Sequence, residues 1–529
     1  MGILSFVLFT ALVGWISWYA TRNNNEESSD GYFLGGRSLT APVIAGSLLL
    51  TNLSTEQIVG LNGSAYESGL SVMAWETLAA IAMVVTAMFL LPKYLKAGIT
   101  TVPEFLADRF DVQTKTITSA LFLTGYVVVL LPVILYSGSV AISGMFDLPE
   151  VLGVSETTAL WICVWGIGII GSIYAVFGGL KTVAVSDSIN AVGLLIGGIM
   201  IPVFGLLYVG DGSVFDGIDV IMEVHPEKFS SIGGAEDPVP FHTLFTGMML
   251  VQLFYWGTNQ QIIQRALGAK NLAEGQKGLL LASFAKILGP LILVLPGIIA
   301  YHIFEGGLGA VDLAYPKLVQ LVLPKALVGF FAAVLFGAIL SSFNSVLNSS
   351  VTLFGMDIYK QYINTEASEK IVVRSGKRFG IALAVGAMFI APLVANAGSL
   401  FKYLQEVNGI YSIPILSIIF IGFVTKRVPA IAAKVGVILG SLLYIISQFF
   451  IQPYVLEQGG EYFHYLDVMA ILFAVNCLVM LGIGKLYPRK TDFVLEYTEK
   501  VDIRPYRHVK TVGLAISVIV IAIYIYFAG

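Results

Sequence analysis

Two charged residues stand where charge is expensive. Glu76 lies in Val72-Met-Ala-Trp-Glu-Thr77 and Lys286 in Ser283-Phe-Ala-Lys-Ile-Leu288, each inside an otherwise apolar run. Ionisable groups in such runs face a cavity or a partner. Asp187 is a third. Two further apolar runs are polar in their middle: Ser47-Leu-Leu-Leu-Thr-Asn-Leu-Ser-Thr-Glu-Gln57 and Gln252-Leu-Phe-Tyr-Trp-Gly-Thr-Asn-Gln-Gln261. Converging Asn, Gln, Glu and Lys heads, with Trp75, Tyr255 or Trp256 as an aromatic face, are the groups that bind a polyhydroxylated solute. Gln405 with Asn408 could join them. Ser341-Ser342 offers adjacent hydroxyls to a hard cation, completed by carbonyls where another helix unwinds. Plainer readings stand beside these. Glu76 and Lys286 could form a purely structural ion pair, and Glu56 could cap free amides. The two serines could bond to carbonyls of their own helix.

The elements that must position these residues are membrane helices. Of 529 residues, 57% are hydrophobic and 12% charged. Average soluble domains carry about 25% charge, so a water-soluble enzyme is excluded. The net charge of −4 argues against nucleic acid as a partner. Cys163 and Cys477 form no disulfide framework. No His-x-x-x-His and no Gly-x-x-x-x-Gly-Lys loop occurs, so neither haem ligation nor an ATP-driven motor has support.

Fourteen apolar runs approach spanning length, near 3–20, 40–64, 70–92, 116–144, 157–177, 185–209, 240–262, 278–303, 320–356, 377–395, 401–424, 430–451, 465–485 and 510–528. The first has no basic residue before it and reads as a retained helix rather than a signal peptide. Alternating the loops puts 25 of the 30 Lys and Arg on one side, which is then cytoplasmic. Both termini are expected outside. Counted from the second run, the polar breaks fall in the first and sixth helices of a ten-helix unit. Matched breaks in two halves point to an inverted-repeat transporter with a midplane site. Gly kinks with amides gluing neighbouring helices are the simpler alternative.

Five segments, Thr51–Gln57, Gly178–Asp187, Tyr255–Gln260, Gln264–Leu267 and Phe401–Glu406, together resemble the solute:sodium symporter family, most nearly its sodium/glucose and sodium/galactose branch. The resemblance implies an all-α integral membrane protein of fourteen transmembrane helices with a LeuT-like five-plus-five inverted repeat. Within the single domain 1–529, residues 3–20 would be an extra N-terminal helix. Residues 40–209 and 240–424 would be the repeats, and 430–528 extra C-terminal helices. It implies a sodium-coupled symporter importing a hexose such as galactose or glucose, without catalytic residues, as a monomer in a bacterial inner membrane. By position, Gln57, Glu76, Lys286 and Gln405 resemble the sugar-hydroxyl ligands and Tyr255 the aromatic inner gate, with Asn52, Ser54 and Trp256 nearby. The sodium ion would take the carbonyls of Leu50, Leu53 and Ala338 and the hydroxyls of Ser341 and Ser342. Asp187 resembles an acidic residue on the sodium exit path. Trp75, Ala79 and Gln252 depart from the branch's tyrosine, serine and asparagine, which removes hydroxyl groups and moves one amide by a methylene. The rivals are a symporter of sialic acid, an organic acid or an amino acid, and a sensor built on the same membrane body.

Overall fold

The polar interruptions in the sequence are breaks in the chain. The computed structural model describes residues 2–21, 28–308, 311–396 and 400–528. Among these it is all-helical, with one isolated bridge between Leu39 and Ala269 and no strand. The elements that carry the argument are α1 (Gly2–Thr21), α2 (Ala41–Asn52), α3 (Thr55–Ser68), α4 (Ala74–Val85), α5 (Val112–Phe146) and α6 (Glu156–Val209). They continue with α7 (Gly247–Gly257), α8 (Gln260–Leu267), α9 (Leu272–Ile287), α10 (Lys325–Leu353), α11 (Leu400–Val424) and α12 (Val509–Tyr526).

The run expected at 40–64 divides into α2 and α3. Leu53 leaves helical geometry (φ −77°, ψ 59°) and Ser54 is extended (φ −82°, ψ 173°). The Ser54 amide turns to Asn52 O at 2.8 Å rather than reaching back four residues to Leu50. The ladder restarts where the Ile58 amide bonds Ser54 O. The run at 240–262 divides into α7 and α8. There the amides of Thr258 and Asn259 both reach Phe254 O at 2.9 Å, and Asn259 caps the new helix by accepting from the Gln261 amide. Neither half is long enough to cross a bilayer, which is why such breaks survive only inside the protein.

Runs 157–177 and 185–209 are two arms of α6. The bend is at Gly179 (φ 59°, ψ −173°), a backbone state open to glycine. By length and composition ten helices of the described residues can span a membrane, or eleven with the bent pair Leu272–Ile287 and Gly289–Phe304. That is fewer than the fourteen counted from sequence. Two of the fourteen runs are divided: Ala41–Asn52 is too short to be counted and the other half of its run is counted with the next in Thr55–Ala97, while α7 and α8 are each too short.

The segment between Leu486 and Val509 has no helix. It runs as a strap over the ends of other elements. Its amides and carbonyls bond Arg427, Lys426, Lys96 and Leu272 through Arg489, Phe493, Thr498 and Asp502. Beneath it, buried Arg109 donates to the carbonyls of Gly422, Thr425 and Val428 at 2.9–3.1 Å, closing the end of α11. Burial, with Arg489 adding to it, pulls the Arg109 pKa down to about 10, so the cap stays charged at neutral pH.

Candidate functional site

The two breaks face one another. Asn52, the last residue of α2, donates to the Tyr255 hydroxyl on α7 at 3.3 Å. Around them a cavity of about 60 Å³ is lined by Asn52, Ser54, Glu56, Gln57, Trp75, Gln252, Tyr255 and Gln405 of the residues singled out in the sequence. Asn259, Gln261, Asn408 and Tyr411 complete its polar wall. Asn259 accepts from the Tyr126 hydroxyl at 2.5 Å, and Asn408 accepts from the Tyr411 hydroxyl at 2.5 Å. Glu56 sits in the first turn of α3, where the helix dipole favours an anion. Its Oε2 is buried without a hydrogen-bond partner.

Glu76 and Lys286 do not line this cavity. They form a buried ion pair at 2.5 Å, both side chains at most 1% exposed. The pair is built into the cavity wall from behind. Glu76 Oε1 accepts from Gln57 Nε2 at 2.9 Å, and the Lys286 ammonium donates to Asn52 Oδ1. Trp256 is also set back, 1% exposed, its ring 5.5 Å from the ammonium. Its indole donates to Gln252 Oε1 at 3.1 Å, while Gln252 Nε2 donates to Trp75 O at 3.0 Å. So the cavity's amides are oriented by a second set of partners that do not line it.

The other face of α2 meets α10. Ser342 Oγ donates to Thr51 O at 3.2 Å, directly at the break. Leu50, Leu53, Ala338 and Ser341 are all buried there. Ser341 Oγ has no hydrogen-bond partner of ordinary geometry and lies beside the Asp187 carboxylate. Ser47 Oγ donates to Asp187 Oδ2 at 2.6 Å and receives Arg265 Nε at 3.3 Å. Arg265 also donates to Ser345 Oγ and to Gln261 O. An unpaired hydroxyl, a carbonyl left by the helical ladder and a nearby carboxylate are hard oxygen donors, which suits an alkali cation. Among the described residues no group of three His, Cys, Asp or Glu is placed to hold a metal ion.

Residues 32–440 match the sodium:solute symporter family. The chain belongs to that family. A symporter of Escherichia coli, YidK, itself uncharacterized, is 48% identical over 99% of this chain and 90% of its own. The sodium/glucose cotransporter of Vibrio parahaemolyticus is 32% identical over 82% of this chain and 83% of its own. Among solved structures, a Na+-coupled sialic acid symporter in its substrate-bound outward-open state superposes with a TM-score of 0.76, covering 93% of this chain and 99% of that one at 18% identity. The fold is therefore that of the LeuT-like transporters, and the protein is a multi-pass membrane transporter, not an enzyme. Sodium is its coupling ion.

Sequence reasoning missed Asn259 and Gln261 as cavity residues, although both stand in the polar break it singled out. Tyr411 carries no sequence signal, since aromatic residues are ordinary in apolar runs.

Proposed function

We propose that the symporter imports a neutral, hydroxyl-rich solute, a hexose such as galactose or glucose, with sodium. The observation that carries this reading is the composition of the cavity wall. It offers amides, hydroxyls, one carboxylate and aromatic rings, and among the described residues no Lys, Arg or His lines it. Hydroxyl groups both donate and accept, and such a wall answers both. A sialic acid or other carboxylate would want a free cation, and Lys286 is already held by Glu76 and Asn52. That the Vibrio relative is a sodium/glucose cotransporter agrees with a sugar.

In this reading Gln57, Gln405, Asn52, Ser54 and Gln252 hold the solute, with Tyr255 and Trp75 as its apolar platform. Glu76, Lys286 and Trp256 fix those groups and reach the solute's hydroxyls when the wall moves. Sodium held by Leu50, Leu53, Ala338, Ser341 and Ser342 fastens α2 to α10 and preorganises the cavity, with Asp187 on its way out. Coupling of this kind is reciprocal: the solute raises sodium affinity by the same factor. Residues 40–209 and 240–424 would be the two repeats, rocking around the fixed site. The monomer would suffice, in the inner membrane with both termini outside.

The test is uptake by proteoliposomes of labelled galactose, glucose, myo-inositol and sialic acid, each with and without an inward sodium gradient. Gradient-driven accumulation of a neutral sugar is expected. Accumulation of sialic acid alone would overturn the reading.

A further inference from the structure

A second space lies on the opposite side of α9 from Lys286. The groove there, about 540 Å³, runs between α9 and α12. A water's share of volume is about 30 Å³, so this space suits a chain, not a solvent molecule. One wall is Lys277, Leu280, Leu281 and Phe284, and the other is Val512, Ala515, Ile516 and Ile519. Both sets follow the same i, i+3, i+4, i+7 spacing, so each helix presents one straight stripe to the gap. Leu281, Phe284 and Ile519 are 49%, 51% and 39% exposed, so the stripes are not closed against each other.

Only one end of the groove is polar. Lys277 heads the α9 stripe, its ammonium 5.5 Å from the Tyr506 ring. The strap fixes Tyr506 there, its amide donating to Gln276 Oε1 at 2.7 Å. The charges around this mouth are unequal. Lys270, Lys277, Arg504, Arg507 and Lys510 belong to the two segments that meet there. Of the acids, Glu274 is engaged by Lys277 at 3.2 Å and by the Ala41 amide at 2.8 Å, and Asp502 by Arg504 at 2.6 Å. Within residues 270–277 and 502–510 basic residues outnumber acids by five to two, and His508 stands edge-on to Tyr506.

We propose that this groove is a binding site for an anionic phospholipid, one acyl chain lying between the stripes of α9 and α12 and the phosphate meeting the Lys277 ammonium and the Tyr506 hydroxyl. An apolar slot ending in a basic rim is complementary to a lipid with a charged head in both its parts. Lys277 and Lys286 are nine residues apart, two and a half turns, so they leave α9 on opposite faces. A lipid in the groove thus braces the outer side of the helix whose inner side carries the ion pair.

The test is native mass spectrometry of the full chain released from micelles containing equal amounts of dioleoylphosphatidylglycerol and dioleoylphosphatidylcholine. The wild type is expected to retain one phosphatidylglycerol, at least about fivefold over phosphatidylcholine. Lys277→Ala should erase the preference and Lys277→Arg should keep it. Ala515→Trp, on an exposed position, should fill the slot and remove the retained lipid of either kind. Equal retention of both lipids by the wild type, an unchanged preference in Lys277→Ala, or retention unaffected by Ala515→Trp would each overturn the proposal. So would a stable dimer without lipid that Ala515→Trp dissociates, since a second copy would then occupy the groove.

Discussion

Two buried acid–base clusters flank the first broken helix, and they are built differently. In one, Glu76 and Lys286 touch directly, and each also holds a cavity residue, Gln57 or Asn52. In the other, Asp187 and Arg265 meet through the hydroxyl of Ser47. The direct pair is saturated and acts as a wall. The indirect one leaves oxygens uncommitted beside it, Ser341 Oγ and Asn344 Oδ1. Saturation suits a part that must hold its shape while a solute comes and goes. Uncommitted oxygen suits a part that must take up an ion and let it go.

The largest expected effect comes from breaking the saturated pair. Lys286→Ala or Glu76→Ala strands a charge in a dry site, at a cost of about 3–5 kcal/mol. Each should abolish uptake and lower the unfolding temperature in detergent. The double variant should be more stable than either single one, because no charge is left alone. Near-normal uptake in the single variants would remove the cluster from the solute site.

The open cluster should respond in its sodium dependence. Ser341→Ala and Asp187→Asn are expected to raise the sodium concentration for half-maximal uptake about tenfold, a difference of about 1.4 kcal/mol. The unfolding temperature should stay near wild type in Ser341→Ala and fall in Asp187→Asn, which leaves the buried Arg265 guanidinium without its counter-charge. A sodium dependence unchanged in both would contradict the contrast drawn between the clusters.

Across the cavity, Tyr255 links the two breaks through one hydrogen bond from Asn52. Tyr255→Phe keeps the ring and loses a bond worth about 0.5–1.5 kcal/mol, so uptake should fall at most about tenfold. Tyr255→Ala removes the platform and should add sodium-free efflux. Identical efflux from the two variants would argue against a gate.

The smallest effect is expected at Asn344. Its amide brings an NH₂ as well as an oxygen, a poor surround for a second cation. We therefore expect one sodium per solute. In proteoliposomes the reversal potential should shift by the one-ion increment per tenfold sodium gradient, and Asn344→Ala should leave that slope alone. A two-ion slope lost in the variant would assign Asn344 as a ligand.

The sequence made the helix breaks legible because polar residues in an apolar run are costly and stand out. Glu76, Lys286 and Asp187 were legible for the same reason. What it could not convey is who faces whom. Glu76 and Lys286 are 210 positions apart, and nothing in either segment says that the pair stands behind Asn52 and Gln57 rather than in the cavity. The count of fourteen spans is not confirmed for a related reason. Hydropathy sees an apolar run whether the chain passes straight through, bends at Gly179 or stops at Ser54.

The strap between Leu486 and Val509 has a mechanical consequence. Its bonds reach the end of one helix at Lys96, the start of another at Leu272 and the turn at Lys426 and Arg427. These anchors are far apart along the chain, so the strap is a harness: no one of them travels freely while the others stay. Motion of α9 away from the 426–427 turn must draw out slack or shed bonds at Asp502 or Phe493. The amides of Leu272, Phe493 and Thr498 are therefore the tension gauges of the transport cycle, and their exchange with solvent will keep time with it.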